Sequence, residues 1–357
     1  MGSVYSGRVL VALILANVDG IKMVNITGQT PVHLHIRDNS FNDKLSLDVL
    51  KALVDKCPDV LGVKGRSEIP FFWAVRYSRV EVVRVLLGLR HESFKATNVI
   101  LQLTIHVALT IETVSLDIVR DLVSAWPESL KQTDCYGDLP PAVAIKNKEI
   151  PLPVIEFLLR SWPESVKSQS YTGKPPLHLA VKAKSLSIAT VLLAAWPDCI
   201  LATDYDDVSA LSLACQGAYR STGMLELLAN AWPEYLVVTN EMGELPLNCI
   251  LAWRQVTMTQ ALTEIWPAGF NQCGHFPLHK MLETHVSHYR NSDLVPIDFE
   301  IASFLVDQDP ACVDIANGNG NIPLILACSN ENVSLDVVIL LLRSSVNLIL
   351  SARRDDH

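Results

Sequence analysis

The chain has 357 residues and a net charge of −9, and its lysines and arginines are scattered instead of grouped in a stripe. This distribution argues against nucleic acid as the main partner, because nucleic-acid-binding proteins carry a clustered basic surface. Hydrophobic residues make up 49% of the chain. The longest uninterrupted apolar stretch, residues 9–16, is nevertheless far shorter than the about 20 residues that a membrane-spanning helix needs.

A period of 34 or 36 residues runs through the chain and is marked by five Trp-Pro pairs. A fixed spacing of this length indicates a repeat architecture. Each unit contains two helix-sized segments, and the second carries apolar doublets at helical spacing, as in residues 154–155 and 158–159. The tryptophans of the five pairs are Trp126, Trp162, Trp196, Trp232 and Trp266.

The N-terminal apolar stretch allows two interpretations. Arg8 followed by residues 9–16 is similar to the core of a signal peptide, although no clear small-residue cleavage site follows. The segment that begins at Ala16 also aligns with the segment that begins at Ala231. We therefore expect residues 1–24 to be an incomplete first repeat that holds only a second helix, followed by a repeat array over residues 25–357.

The first helix of each unit is predicted to begin at the Pro of a Thr-Pro-Leu-His-like tetrapeptide, as at Pro31 and Pro176. Pro loses no hydrogen bond at the first helical position, because the N–H there is unpaired in any helix. The second helix often opens with a Ser, as at Ser115, and Ser caps helix N-termini well. Insertions break the period near residues 36–44 and 284–297. Nine units are predicted, with first helices opening at positions 31, 70, 104, 140, 176, 210, 246, 277 and 323.

The Trp-Pro pairs are predicted to end the second helices, because Pro cannot continue a helix. We expect the Trp side chain to fill the seam between units, which is a structural role. The alternative is an aromatic ladder that binds a ligand. The structural role is favoured because Cys57, Arg90 and Asp309 take the same position in other units.

These features resemble the ankyrin repeat, whose unit of about 33 residues has a turn, two antiparallel helices and a Thr-Pro-Leu-His motif. The segment Pro175–Ala180 reads Pro-Pro-Leu-His-Leu-Ala, and a turn signal stands at Asp134…Gly137, where Gly would supply a positive φ. The chain departs from the family where Trp-Pro-Glu replaces Gly-Ala-Asp, so other helix-pair repeats remain an alternative. The resemblance implies an all-α, ankyrin-like helical repeat solenoid of about nine units of 34–36 residues, with short turns between the helix pairs.

The resemblance also implies a non-catalytic scaffold or adaptor that binds a partner protein on a concave face of turn tips and first helices. Aromatic and Met residues, which are enriched at interfaces, occur near the predicted tips. For the tyrosines, the alternative is that they only pack on the neighbouring turn. Two other functions remain open: a fragment or regulatory region of a larger protein with its catalytic domain elsewhere, and a structural spacer. The candidate partner-binding residues are Tyr136, Tyr171, Tyr205, Met242, His275 and Asn319.

No motif of a catalytic nucleophile, a nucleotide-binding loop or a metalloprotease is present, so we expect no enzyme activity, no cofactor and no small-molecule substrate. The scattered cysteines favour a reducing compartment, and we expect a cytoplasmic protein. A zinc site is the alternative for the densest polar cluster, but its spacing matches no standard zinc site, and we expect no metal. That cluster comprises Cys273, His275, His279, His285 and His288. The resemblance instead gives structural hydrogen bonds to the histidines of the Thr-Pro-Leu-His position, which are His33, His178 and His279.

Overall fold

The computed structural model describes most of the chain as helices joined by short turns. Contacts divide the chain into two compact units, Met1–Leu179 and Ala180–His357. No β-strand occurs in the part of the chain that the structure describes, where three isolated β-bridges lie at turns. The described residues are 16, 18–37, 44–65, 68–77, 79–89, 92–98, 100–216, 221–239, 243, 245–252, 255–267, 277–283 and 299–355.

In the first unit, short first helices alternate with longer second helices. The division between the units falls inside α10, after Leu179. The helices are α1 (Val18–Lys22), α2 (Pro31–Arg37), α3 (Lys44–Lys56), α4 (Pro70–Arg76), α5 (Val80–Gly88), α6 (Thr104–Leu109), α7 (Leu116–Ala125), α8 (Pro140–Lys146), α9 (Leu152–Ser161) and α10 (Pro176–Ala183).

The second unit continues the alternation. Its helices are α11 (Leu186–Ala195), α12 (Ala210–Ala214), α13 (Thr222–Ala231), α14 (Pro246–Ala252), α15 (Val256–Ile265), α16 (Pro277–Leu282), α17 (Phe299–Gln308), α18 (Pro323–Ser329) and α19 (Leu335–Asp355). Each first helix of the two units begins at the residue that the tetrapeptide pattern predicts.

Local chemistry explains why the first helices begin where they do. In α4 and α8, Pro stands at the start and the preceding residue is extended, which is the conformation that Pro imposes on its predecessor. The helix α12 lacks this Pro, and there the Ser209 hydroxyl accepts a hydrogen bond from the Ser212 N–H at 3.1 Å. In α6, which begins at Thr104, the Leu103 N–H donates to Nδ1 of His106 at 3.1 Å.

In each unit, first helices pack against first helices, and second helices pack against second helices. In the first unit, the first helices α2, α4, α6 and α8 pack in succession, as do the second helices α3, α5, α7 and α9. In the second unit, α12, α14, α16 and α18 form one row, and α11, α13, α15, α17 and α19 form the other. The core lies between the rows, where apolar doublets such as Val154 and Ile155 of α9 are fully buried. Burial of each such side chain contributes about 1.5–3 kcal/mol.

The Trp-Pro pairs end the second helices and also begin a 3₁₀ turn, which the repeat pattern does not predict. The Trp126 N–H donates to the Leu122 carbonyl at 3.0 Å, and Pro127–Lys131 then forms the 3₁₀ helix. The Trp126 side chain is half-buried, whereas Ser129 and Leu130 of the turn are buried. The Ser129 hydroxyl also donates to the Trp126 carbonyl at 2.6 Å. The deeply buried residues of this seam are thus Ser129 and Leu130, and Trp126 lies at its edge.

The predicted Ser caps hold only in part. Ser115 stands at the N-cap of α7, but its side chain makes no capping hydrogen bond. Capping bonds are instead made by Ser185, at 3.4 Å to the Ile188 N–H, and by the Ser209 hydroxyl of α12.

Several sequence predictions concern residues outside the described part. Residues 9–15 of the predicted incomplete repeat 1–24 lie outside it, and α1 begins only at Val18. Residues 38–43 of the insertion near 36–44, and the whole insertion 284–297, also lie outside it. Among the helices that are described, none combines the length and apolarity required to cross a bilayer.

Candidate functional site

Five of the described turns before first helices are closed by one side-chain acceptor group, and the turn that begins at Asp134 is representative. Its Oδ1 accepts hydrogen bonds from the N–H groups of Tyr136, at 2.9 Å, and Asp138, at 3.0 Å. The Gly137 N–H donates to the Asp134 carbonyl at 3.1 Å, and Gly137 has a φ of 74°. Asp and Asn stabilise turns in this way, and Gly takes a positive φ without a steric cost. Turns with the same hydrogen bonds begin at Asn25, Asn98, Asp204 and Asn317.

The three candidate tyrosines are exposed at the turn tips. The exposed fraction is 58% for Tyr136 and 69% for both Tyr171 and Tyr205. They do not occupy equivalent positions, because Tyr136 is the third residue of its turn whereas Tyr171 and Tyr205 are the second.

Tyr171 packs on the neighbouring turn and is exposed at the same time. Its N–H donates to the Tyr136 carbonyl at 3.0 Å. A Cβ atom added to Gly137 would come within 2.5 Å of Cδ1 of the Tyr171 ring, so this glycine gives the ring room to approach the turn. One part of the ring therefore contacts the Gly137 turn, and the remainder faces solvent.

Of the other candidate partner-binding residues, the structure describes Asn319 but not Met242 or His275. Asn319 is exposed at its turn tip, and its N–H donates to Oδ1 of Asn317 at 3.0 Å. Met242 and His275 lie outside the described residues, although Gly243, which follows Met242, has the predicted positive φ of 73°.

A groove of about 610 Å³ lies beside the Tyr136 tip in the first unit. It is lined by the turn residues Tyr136 and Asp138, by Lys146 at the end of α8, and by residues 110 and 112 after α6. The loop that follows α8 is anchored to the preceding repeat, because its Asn147 amide donates to the Leu109 carbonyl at 2.9 Å and to the Ile111 carbonyl at 3.0 Å. This groove combines a rigid wall with charged side chains, and the sequence offered no signal for it.

Asp138 is, with Asp134, one of the two buried carboxylates that line the groove. Its side chain is only 2% exposed, and its Oδ2 atom forms an ion pair with the ammonium group of Lys146. Its Oδ1 atom is buried and has no hydrogen-bond partner among the described residues. Burial raises the pKa of the Asp138 carboxyl, and the ion pair with Lys146 opposes that rise.

The histidines of the Thr-Pro-Leu-His position contact the following turn. The Thr30 N–H donates to Nδ1 of His33 at 3.2 Å, so Nε2 of this ring carries the hydrogen and donates to the Glu68 carbonyl at 3.1 Å. Nε2 of His279 lies 3.0 Å from the Asn321 carbonyl in the same way. Burial lowers the pKa of His33 and His279, because it disfavours the charged ring. The described histidines of this position are His33, His106, His178 and His279, and all four are buried.

The tryptophans of the five pairs share one location. Each follows the last residue of a second helix and is half-buried. The ammonium group of Lys95 lies 6.0 Å from the ring centroid of Trp126, and Trp232 contacts Tyr235 edge to face with centroids 6.5 Å apart. The five are Trp126, Trp162, Trp196, Trp232 and Trp266.

The polar cluster that could be a zinc site is mostly outside the described residues. Cys273, His275, His285 and His288 are not described, and His279 contacts a backbone carbonyl in the following turn. Within the described ranges, no group of three or more His, Cys, Asp or Glu residues is placed to hold a metal ion.

Comparisons with known proteins place the repeats in one fold. The sequence profile of the ankyrin repeat matches residues 319–351, which include the tip residue Asn319 and helix α18. Among solved structures, the chain is similar to the crystal structure of the ankyrin repeat domain of Bcl-3, described as a unique member of the IkappaB protein family. The identity is 21% and the TM-score is 0.54, with 66% of this chain and 98% of that chain covered. No curated protein sequence matches the chain.

Proposed function

We propose that the chain, whose repeats have the ankyrin fold, is a non-catalytic scaffold or adaptor that binds a partner protein. The proposed binding face carries the turn tips and the first helices. The observation that supports it is the exposure of large aromatic side chains, Tyr136, Tyr171 and Tyr205, on hydrogen-bonded turns.

Rigid turns reduce the cost of binding. Ordering a mobile loop at an interface consumes part of the binding free energy, and a turn already closed by hydrogen bonds avoids that cost. The turn that carries Tyr136 is closed on Asp134, and the turn that carries Tyr205 is closed on Asp204. Tyr adds a large contact area with few rotatable bonds, so it is well suited to the centre of such an interface.

We also propose Met242, His275 and Asn319 as partner-binding residues. We propose structural roles for the repeat residues at other positions: the histidines join a first helix to the following turn, and the tryptophans end the second helices. The hydrogen bond from His33 to the Glu68 carbonyl and the location of Trp126 at the end of α7 support these roles. The cytoplasmic location and the absence of nucleic-acid, membrane and small-molecule partners stay predictions.

The proposal is tested by removing the exposed aromatic area at the tips. The variant carries Tyr136→Ser, Tyr171→Ser and Tyr205→Ser. We expect a protein that unfolds cooperatively like the original chain but loses binding of its partner at least tenfold, since a buried tyrosine anchor contributes about 2 kcal/mol or more. The partner is identified by affinity capture with the original chain and mass spectrometry, and its binding is then measured by titration of the purified proteins.

The matched control removes exposed apolar side chains that are not on the turn tips. Leu186, Leu201 and Val237 are 45%, 38% and 47% exposed, and their replacement by Ser should leave binding unchanged. Binding that survives the tyrosine variant and is lost in the control would place the partner on another face.

A further inference from the structure

We propose that the groove beside the Tyr136 tip binds an arginine side chain of the partner protein, with the carboxylate of Asp138 as its anchor. This inference rests on the proposed function, because it specifies which chemistry the binding face selects. The groove belongs entirely to the first unit, and its volume of about 610 Å³ is sufficient for one long side chain and the adjoining backbone.

The first observation is the incomplete pairing of Asp138. A buried carboxylate is costly unless both oxygens have partners, and here Oδ2 contacts Lys146 while the buried Oδ1 has no hydrogen-bond partner among the described residues. Asp138 lines the groove, so a donor that enters the groove and displaces the Lys146 ammonium group would reach the carboxylate from the groove side. The side chain of Lys146 is 42% exposed, which lets its ammonium group turn towards solvent as a stronger ligand approaches.

The second observation is the balance of charge. The groove is lined by the carboxylates of residues 112, 134, 138 and 149 and by the ammonium groups of residues 146 and 148, so carboxylates exceed ammonium groups four to two. Among the described residues, neither Glu112 nor Glu149 forms an ion pair. The groove therefore attracts a cation, in agreement with the charge of −9 on the whole chain.

The shape of the donor selects arginine over lysine. A guanidinium group presents several N–H donors in a plane and binds carboxylates through two parallel hydrogen bonds, whereas an ammonium group is a point charge. The exposed Tyr136 ring at the edge of the groove adds a surface on which a guanidinium group stacks. Asp138 and Tyr136 thus provide two different contacts that both favour the guanidinium group.

The experiment uses the full chain and four pools of synthetic nonapeptides with random flanking residues. The central residue is arginine, its uncharged isostere citrulline, lysine or glutamate, and binding of each fluorescent pool is followed by anisotropy. We expect the arginine pool to bind about tenfold more tightly than the citrulline pool, because a hydrogen bond to a charged group is lost in the latter. We expect the lysine pool to lie between them.

Two variants test whether the preference for the arginine pool depends on the carboxylates of the groove. In Asp138→Asn the preference should fall to less than about twofold. In the double variant Glu112→Gln and Glu149→Gln, which changes two exposed side chains and spares the fold, it should fall severalfold. The matched control is Glu128→Gln, which removes an exposed carboxylate that lies outside the groove, and it should retain the full preference.

Each outcome either supports or overturns the proposed binding of an arginine side chain in the groove. Equal binding of the arginine and citrulline pools, or a preference that survives both groove variants, would overturn the inference. Tighter binding of the glutamate pool would show that Lys148 directs an acidic partner to the groove instead. If the arginine preference is absent while partner binding is still lost in the tyrosine variant, only this inference fails and the proposed binding face stands. If the preference depends on Asp138 but the tyrosine variant binds normally, the proposed face fails as a whole.

Discussion

Replacement of Gly137 by Ala tests the coupling between a turn tip and the tyrosine of the next turn. Gly137 has a φ of 74°, and an L-residue in this left-handed region costs about 1–2 kcal/mol. The added Cβ would also lie 2.5 Å from Cδ1 and 2.7 Å from Cγ of Tyr171, so the ring must leave the turn. Loss of about 40 Å² of apolar contact adds about 1 kcal/mol, which gives a total destabilisation of about 2–3 kcal/mol.

Gly243 provides the matched control because its φ is 73° and no atom of the described residues lies within 4 Å of an added Cβ. Gly243→Ala should therefore cost only the backbone term of about 1–2 kcal/mol. The double variant Gly137→Ala and Tyr171→Ala is compared with the single variant Tyr171→Ala. In this comparison Gly137→Ala should cost only the same backbone term, because the Tyr171 ring is absent from both proteins. The assay is equilibrium unfolding in urea followed by circular dichroism, with the midpoint and the slope compared between variants.

Two results would refute this reasoning. If Gly137→Ala and Gly243→Ala cost the same free energy, the Tyr171 ring does not pack on the Gly137 turn. If Gly243→Ala costs nothing, the left-handed conformation of the turn is not a constraint. A confirmed difference would also have a functional consequence, because the displaced Tyr171 ring should weaken binding of the partner protein.

Three further predictions concern stability, each measured by unfolding in urea. Burial lowers the pKa of His106 below its ordinary value of 6.5, so the unfolded chain binds the proton more readily and stability falls as the pH drops through that value. His106→Asn, which copies the equivalent Asn248, should make the loss between pH 8 and pH 5 smaller, and an unchanged loss would contradict the assignment. Ser209→Ala should cost about 1 kcal/mol and Ser115→Ala close to nothing, because Ser209 makes a capping bond and Ser115 does not; equal costs would count against the cap. Trp196→Ala should lower the free energy of unfolding, but by less than the about 3–5 kcal/mol expected of a fully buried Trp, because Trp196 is half-buried. An unchanged free energy of unfolding with lost binding would indicate a ligand-binding role.

The functional candidates could be predicted in part. Local rules identified several of the turn tips, because an Asp or Asn three residues before a Gly favours a turn. They could not separate Tyr136 from Tyr171, since the difference is whether a ring meets the glycine of another turn. Asp138 carried no signal at all, because its chemistry comes from burial and from an ion pair with a residue one helix away.

The sequence by itself determined the period, the first residue of each first helix and the turns in which a glycine takes a positive φ. These features depend on contacts within a few residues: Pro31 begins α2 because of its own ring, and Gly137 takes a left-handed φ because it has no Cβ. Only the tertiary structure decided which side chains fill the seam after a second helix, where Leu130 is buried and Trp126 is half-buried. It also decided that a groove with a partly paired Asp138 lies beside the exposed tip. Burial depends on the position of the neighbouring repeat, more than thirty residues away in the chain, and no local pattern records that position.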